Sequence, residues 1–291
     1  MLIKNRVPKQ LPKITRKMAD KTVAIYCLFD DIFKVMGPKT DPHCKLNDAE
    51  ITTIAVIAAI SFYGNQVAPC GYMQRHYGMK MIHKSGFNRR LSRRQTKLIS
   101  VFRALGASLK DLNTSSRYVI DSFPVAVCRN CRIRVCKLLK GKAYHGYNEA
   151  KKEYFYGFKI QVIVVADNQP VDYFITAGSF HDSTALQAMQ VTLPAGSELY
   201  GDSGYTDYEQ EDLYAECDQI YLKIHRKKNS LRPDPAWDVF LKKTFRKPIE
   251  NVFSQITNLF PRKIHAVTAE GFLLKLFLFL LAFTINGCLE D

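Results

Sequence analysis

The sequence predicts a mixed α/β protein with a small, basic, all-helical region in front of it. Before residue 115 the apolar residues recur at helical spacing, whereas after it short apolar runs of strand character alternate with helical segments. The chain has 291 residues and is 47% hydrophobic, which is enough for a sizeable core. We therefore expect a helical domain at 1–115 and a mixed α/β domain at 116–291.

The positive charge of the chain is concentrated in its first half. The net charge is +15, and residues 1–150 contain 27 basic and 9 acidic residues. Residues 51–100 contain eight basic residues and no acidic one. Such a cationic segment indicates a polyanionic partner, and nucleic acid is the first candidate. The alternative is a generally basic protein whose cations are only solvated.

Two helices are indicated in this basic half. Asn47 with Glu50 three residues later is a capping-box pattern, and a long apolar run follows it. A second helix is predicted from Ser92 to Leu105, because its apolar residues fall on one side and its cations on another. We expect its cations to bind DNA, in particular Arg93 and Arg94.

Strands and helices alternate after residue 115. DNQP at 167–170 is a turn signal between two runs of alternating apolar residues, so a hairpin is expected there. The predicted elements, in order, are a strand ending at Asp121, this hairpin, a helix from Asp182 or Ser183 through Met189, a strand ending at Asp202, a helix opened by Thr206 and Glu209, a strand at 221–224, and a helical stretch around Pro248.

Three acids stand at positions where chemistry is expected. Asp121 in VIDSFP and Asp202 in LYGDSGY directly follow apolar runs, and the ends of strands present functional groups at the rim of a sheet. Glu250 lies in the segment TFRKPIENVF. Three converging carboxylates suit hard divalent cations, a pair of which can drive phosphoryl transfer. Alternatively, the aspartates are turn residues and Glu250 faces solvent.

Apolar and cysteine patterns indicate a cytoplasmic protein. The most apolar stretch, 272–285, is too short to span a bilayer and predicts a buried helix, and no signal peptide is evident. The eight cysteines then predict free thiols. A zinc knuckle is an alternative interpretation for one group of residues: Cys128, Cys131, Cys136 and His145.

Five blocks of the second half resemble the DDE transposases of bacterial insertion sequences: IDSFPV, AYHGYNEAKKEYFYGFKIQVIV, ITAGSFHDSTAL, LYGDSGY and FRKPIENVFSQI. The resemblance covers about residues 115–285 and implies an RNase H-like catalytic domain. By motif, it implies that Asp121, Asp202 and Glu250 are the catalytic, metal-binding acids. It also implies that Arg246 is the arginine of the last block.

The resemblance further implies an activity and its partners. Such a protein cuts double-stranded DNA at the terminal inverted repeats of an insertion sequence and joins the 3′ ends to target DNA, using Mg²⁺ or Mn²⁺. It acts as a homodimer or larger assembly, in the bacterial cytoplasm at the nucleoid and without a membrane. The alternatives are a metal-dependent nuclease of the RNase H-like superfamily or a domesticated regulator that only binds DNA. The presence of all three acids argues against a loss of chemistry.

Cations near the predicted site are candidates for contacts with DNA. Arg246 suits a phosphate because its planar guanidinium matches the phosphate oxygens. His181 is expected to contact phosphate or to position a metal ligand, unless Asp182 simply caps the next helix. Lys223 is expected to neutralise phosphates, unless its loop is only solvated. Arg132 belongs to a cation-rich connector suited to the DNA backbone.

Overall fold

Helices make up the first part of the chain in the computed structural model, which describes residues 16–37, 44–149 and 151–289. They are α1 (Arg16–Met36), α2 (Asp48–Ser61), α3 (Val67–Tyr77), α4 (Lys84–Arg93) and α5 (Gln95–Leu112). The predicted capping box is confirmed: Asn47 accepts from the backbone N–H of Glu50, whose carboxylate accepts from that of Asn47. The apolar run behind it makes α2 the buried central helix of the region.

The single helix predicted from Ser92 to Leu105 is wrong in its bounds. Two helices meet at Arg94, whose backbone leaves the helical conformation with φ −96° and ψ 0°. The Arg94 side chain reaches the buried carboxylate of Asp48 at the start of α2. The period of the apolar residues does not reveal this break, because the apolar positions of α4 and α5 follow one another at nearly unbroken helical spacing.

The described strands form one six-stranded mixed sheet. They are β1 (Arg117–Cys128), β2 (His145–Asn148), β3 (Glu153–Val165), β4 (Pro170–Ala177), β5 (Glu198–Gly201) and β6 (Tyr221–Ile224). Strand β3 runs antiparallel to β1, with β2 and β4 pairing against β3, while β5 and β6 continue the sheet parallel to β1. The predicted β3–β4 hairpin is confirmed, and β2 was not predicted.

Strand β1 does not end at Asp121 as predicted. It continues to Cys128, because β3 supplies an antiparallel partner along this whole length, with Asp121 opposite Val162 and Pro124 opposite Lys159. Only the parallel pairing with β5 ends early, since its last registered pair is Val119 with Tyr200. Asp121 is therefore a mid-strand residue that has lost its neighbour on one side.

The remaining helices are α6 (Asp182–Met189), α7 (Tyr208–Leu213), α8 (Ala236–Asn258) and α9 (Ala269–Cys288). The capping box predicted at Thr206 and Glu209 is wrong, because Asp207 is the N-cap and accepts from the backbone N–H of Gln210. Helix α8 runs through Pro248, which lies in its interior rather than in its first turn. Residues on both sides of Pro248 therefore belong to one helix.

Helix α9 joins the two parts of the chain. Its buried residues lie in two hydrophobic clusters: Phe277 packs with the N-terminal helices, whereas Phe272 packs with the sheet and α8. By length and composition alone α9 could cross a membrane, but most of its apolar window is buried in the fold. The boundary predicted at residue 115 stays a prediction, and the hydrophobic core of the helical part includes residues from α9.

Candidate active site

The register of the sheet brings Asp121 and Asp202 to the same place. Val119 of β1 lies opposite Tyr200 of β5 in a parallel pair. Because side chains alternate with period two, the residues two positions further on, Asp121 and Asp202, extend from the same face at the end of β5. Val119 and Tyr200 pack in one cluster with Ile249 of α8. Helix α8 therefore covers the face on which both acids lie.

Arg246 of α8 bridges the two aspartates. One guanidinium nitrogen donates to Asp121 Oδ2 at 3.0 Å and the other to Asp202 Oδ1 at 3.3 Å. The two carboxylates differ in exposure, with 20% of the Asp121 side chain exposed against 47% for Asp202. The buried Nε of Arg246 has no partner among the described residues. One cation thus holds two acids that repel each other.

Burial raises the pKa of Asp121 above its ordinary value. Arg246 and the backbone N–H of Ser122 act in the opposite direction, and the nearby charge of Asp202 adds to the rise. The direction shows that the loss of hydration at Asp121 outweighs its pairing with Arg246. A cation of higher charge at this position would stabilise the ionised form more strongly.

Glu250 lies one turn beyond Arg246 on α8, on the same flank of the helix. Its side chain is exposed and makes no hydrogen bond or ion pair with the described residues. In the parts of the chain that the structure describes, no group of three or more His, Cys, Asp or Glu side chains is close enough to hold a metal. The structure therefore brings together two of the three predicted ligands, and the role of Glu250 stays a prediction.

Asp182 connects the segments that carry the two bridged acids. Its Oδ1 accepts from the Ser122 hydroxyl, the Lys159 ammonium and the Gln161 amide, each at 3.1 Å. Gln161 in turn accepts from the buried hydroxyl of Tyr205, in the turn that follows Asp202. Asp182 therefore contacts the residue next to Asp121 directly, and the Asp202 turn through Gln161.

The sequence interpretation missed this role of Asp182. The alternative that Asp182 caps the next helix is wrong, because His181 occupies the N-cap position and the Asp182 side chain points into the network. The His-Asp pair in the block ITAGSFHDSTAL was the available signal. His181 itself is exposed at the N-terminus of α6, beside the network rather than inside it.

Two other predicted cations lie away from the aspartate pair. Lys223 of β6 forms an ion pair with Glu198 at 3.8 Å, near the start of β5. It is therefore already matched by a carboxylate, which weakens the prediction that it neutralises phosphate. Arg132 is exposed in a short 3-10 helix that follows the far end of β1. The other cations of the connector are exposed as well: Arg129, Arg134, Lys137, Lys140 and Lys142.

Arg93 and Arg94 have different surroundings. Arg93 is exposed at the end of α4. Arg94 Nε lies 2.6 Å from Oδ2 of the buried Asp48, as an ion pair rather than an aligned hydrogen bond, and Arg90 approaches the same carboxylate at 3.4 Å. The pairing with the buried charge of Asp48 explains the position of Arg94 and weakens the expectation that Arg94 binds DNA, which stays a prediction.

Comparison with known proteins decides the family. A family model described as a transposase DDE domain matches residues 112–265, more than half of the chain. The chain belongs to this transposase family. The matched range of the transposase contains the aspartate pair, Arg246, Glu250 and the Asp182 network. No curated protein and no solved structure matches the chain.

Membership of this family makes the transposase an enzyme that acts on DNA, and DDE domains generally depend on divalent metal ions. Its mixed sheet flanked by helices agrees with the predicted RNase H-like fold. Cys128, Cys131 and Cys136 form no disulfide, and the zinc-knuckle alternative lacks support, since the described residues contain no group of three or more metal-binding side chains.

Proposed function

We propose that this transposase cuts DNA at the ends of an insertion sequence and joins the cut strands to a target. In this proposal Asp121, Asp202 and Glu250 are the catalytic acids. The observation that carries it is the bridge from Arg246 to both aspartates, inside the matched family region. The same helix carries Glu250 one turn further on.

The donor set fits Mg²⁺ or Mn²⁺ in chemical type. Asp121 and Asp202 offer carboxylate oxygens at one edge of the sheet, which are the ligands that hard divalent cations prefer. Glu250 would complete the set from the exposed flank of α8. When bound, such ions activate the attacking water or hydroxyl and stabilise the leaving oxygen of phosphoryl transfer.

The chain's own residues orient the DNA and the acids. Arg246 carries a planar guanidinium suited to phosphate oxygens, and we propose that it moves from the aspartates to a DNA phosphate. The hydrogen-bond network of Asp182 holds β1 beside Asp121 and the turn that follows Asp202. We propose that His181, which is exposed at the N-terminus of α6, contacts the DNA backbone.

The basic connector extends the proposed DNA path. Cys128 lies seven positions beyond Asp121 on β1, which corresponds to about 23 Å along the strand. Arg132 and the other cations of the connector follow Cys128, at a distance of roughly seven base pairs of duplex from the acids. We propose that they contact backbone phosphates there, while the N-terminal helices bind the terminal inverted repeats.

Assembly and location follow from the same proposal. Joining two element ends to one target requires the ends to be held together, so a homodimer or larger assembly on DNA is proposed. The place of action would be the bacterial cytoplasm, at the nucleoid. Neither a membrane nor a cofactor other than the metal is required.

A strand-cleavage and joining assay tests the proposal. Labelled duplexes carrying the inverted repeats that flank the reading frame are incubated with the full chain, target plasmid and Mg²⁺ or Mn²⁺. We expect cleaved 3′ ends and joined products, both absent in Asp121→Asn and Asp202→Asn. The matched control Asp207→Asn, at the N-cap of α7, should retain both products.

Other outcomes of this assay identify the two alternatives. Cleavage without joined products would indicate a metal-dependent nuclease, and specific binding without cleavage would indicate a regulator. Cleavage that survives in both aspartate variants would contradict the proposed site.

A further inference from the structure

Helix α4 presents a continuous polar and basic face to solvent. Phe87 and Leu91 form its buried side. Its exposed residues recur at the spacing of one helix face: Lys84, Ser85, Asn88, Arg89, Ser92 and Arg93. None of these residues is acidic, and the side chains of Asn88, Arg89, Ser92 and Arg93 form no hydrogen bond or ion pair with the described residues. This face carries hydrogen-bonding capacity that the fold does not use.

The opposite side of α4 is firmly attached. Besides the two apolar anchors, Arg90 and the following Arg94 pair with Asp48, which is only 6% exposed and lies in the first turn of the buried helix α2. The helix is therefore fixed in orientation before any partner binds. Fixing a binding element in advance lowers the entropy lost on association.

The exposed faces of neighbouring helices have a different character. Helix α1 exposes acids at Asp20 and Asp31, which would repel a polyanion. Helix α5 exposes Ala104 and Ala107, which offer no hydrogen bonds, and an acid at Asp111. Helix α3 also exposes cations and an amide, at Gln74, Arg75 and His76, but only in its last turn. A face of cations, an amide and hydroxyls that runs the whole length of the helix without an acid therefore distinguishes α4 from these helices.

We propose that α4 enters the major groove of duplex DNA and reads the sequence of the element's end, an inference that rests on the proposed function. A ten-residue helix is about 15 Å long and, with side chains, about as wide as the major groove. Arg89 at the centre of the face suits guanine, and Asn88 suits adenine, because each can form two hydrogen bonds to the base edge. Arg93 on the flank would contact a phosphate.

Selection from a random duplex library tests this proposal in the full chain. Wild-type protein should enrich a motif of several base pairs. Arg89→Ala should lose preference at a position occupied by guanine, and Asn88→Ala at one occupied by adenine. Their affinity for the wild-type motif should fall roughly tenfold to a hundredfold, with a much smaller change on unselected duplex. Arg103→Ala, which removes an exposed cation from α5, is the matched control and should select the wild-type motif.

The proposal is overturned if the wild type enriches no motif, or if Arg89→Ala and Asn88→Ala both select the wild-type motif with unchanged affinity. Metal-dependent nicking of plasmid by the same preparations separates this result from failure of the proposed function. Nicking with unaltered selection overturns the role of α4 alone. Altered selection in the α4 variants, with no cleavage by any preparation, supports the role of α4 and overturns the catalytic proposal.

Discussion

Replacing Arg94 by alanine should destabilise the fold, whereas replacing its neighbour Arg93 should weaken DNA binding. Arg94 is one of two arginines that neutralise the buried carboxylate of Asp48, and it is the closer one, at 2.6 Å against 3.4 Å for Arg90. Arg93 is exposed on the face of α4 that we propose to contact DNA. The two residues thus form a matched pair of identical chemistry.

The cost of Arg94→Ala follows from what remains around Asp48. Breaking a buried ion pair completely costs about 3–5 kcal/mol. Here Arg90 remains, and the Arg94 side chain is 29% exposed, so we expect a loss of about 1–3 kcal/mol in the free energy of unfolding. Arg93→Ala removes no described contact and should change this free energy by less than about 0.5 kcal/mol.

Two measurements on each variant separate these roles. Urea unfolding gives the loss of stability, and DNA affinity at several salt concentrations gives the slope of log K against log salt. Arg93→Ala should flatten this slope by about 0.9, the contribution of one phosphate contact, and Arg94→Ala should leave it unchanged at temperatures where the variant is folded. Equal stability of the two variants, or a flatter slope for Arg94→Ala alone, would refute the reasoning.

Three further predictions concern the acids and their supports. Because burial raises the pKa of Asp121, the ionised carboxylate destabilises the folded state at any pH above the ordinary pKa of about 3.9. Asp121→Asn should therefore raise the melting temperature at pH 7. This gain should vanish as the pH falls below about 3.9. Asp182→Asn should raise the Mg²⁺ concentration needed for half-maximal cleavage several-fold, and adding Ser122→Ala should give a less than additive effect; equal metal dependence in wild type and variant would contradict this. Arg246→Lys should slow cleavage even at saturating DNA, because lysine keeps the charge but loses the bidentate geometry; normal single-turnover rates would show that any cation suffices.

Local patterns predicted the elements that local interactions determine. The Asn47–Glu50 capping box, the β3–β4 hairpin and β6 depend on neighbouring residues, and all three are present in the structure. The fold class followed from the change in apolar period near residue 115. The end of β1 could not be predicted, because its continuation past Asp121 depends on pairing with β3, some forty residues away.

The site was predictable in part for the same reason. The positions of Asp121 and Asp202 after apolar runs identified the two acids that the sheet brings together. Their bridge through Arg246 depends on how α8 packs on the sheet, and the Asp182 network depends on contacts between β1, β3 and α6. The different surroundings of Arg93 and Arg94 depend on the packing of α4 against α2. Such long-range contacts leave no period in the sequence.

Single-turnover cleavage by Glu250→Gln at saturating DNA tests the central claim most directly. Glu250 is the one proposed ligand that the structure leaves exposed and without a described partner, so its effect on the reaction rests on chemistry rather than on folding. The control is Glu209→Gln, which alters an exposed acid on α7. The account predicts that Glu250→Gln binds DNA normally but cleaves it at least about a thousandfold more slowly, since metal-ion catalysis contributes several kcal/mol. Cleavage by Glu250→Gln at the rate of the control would contradict it.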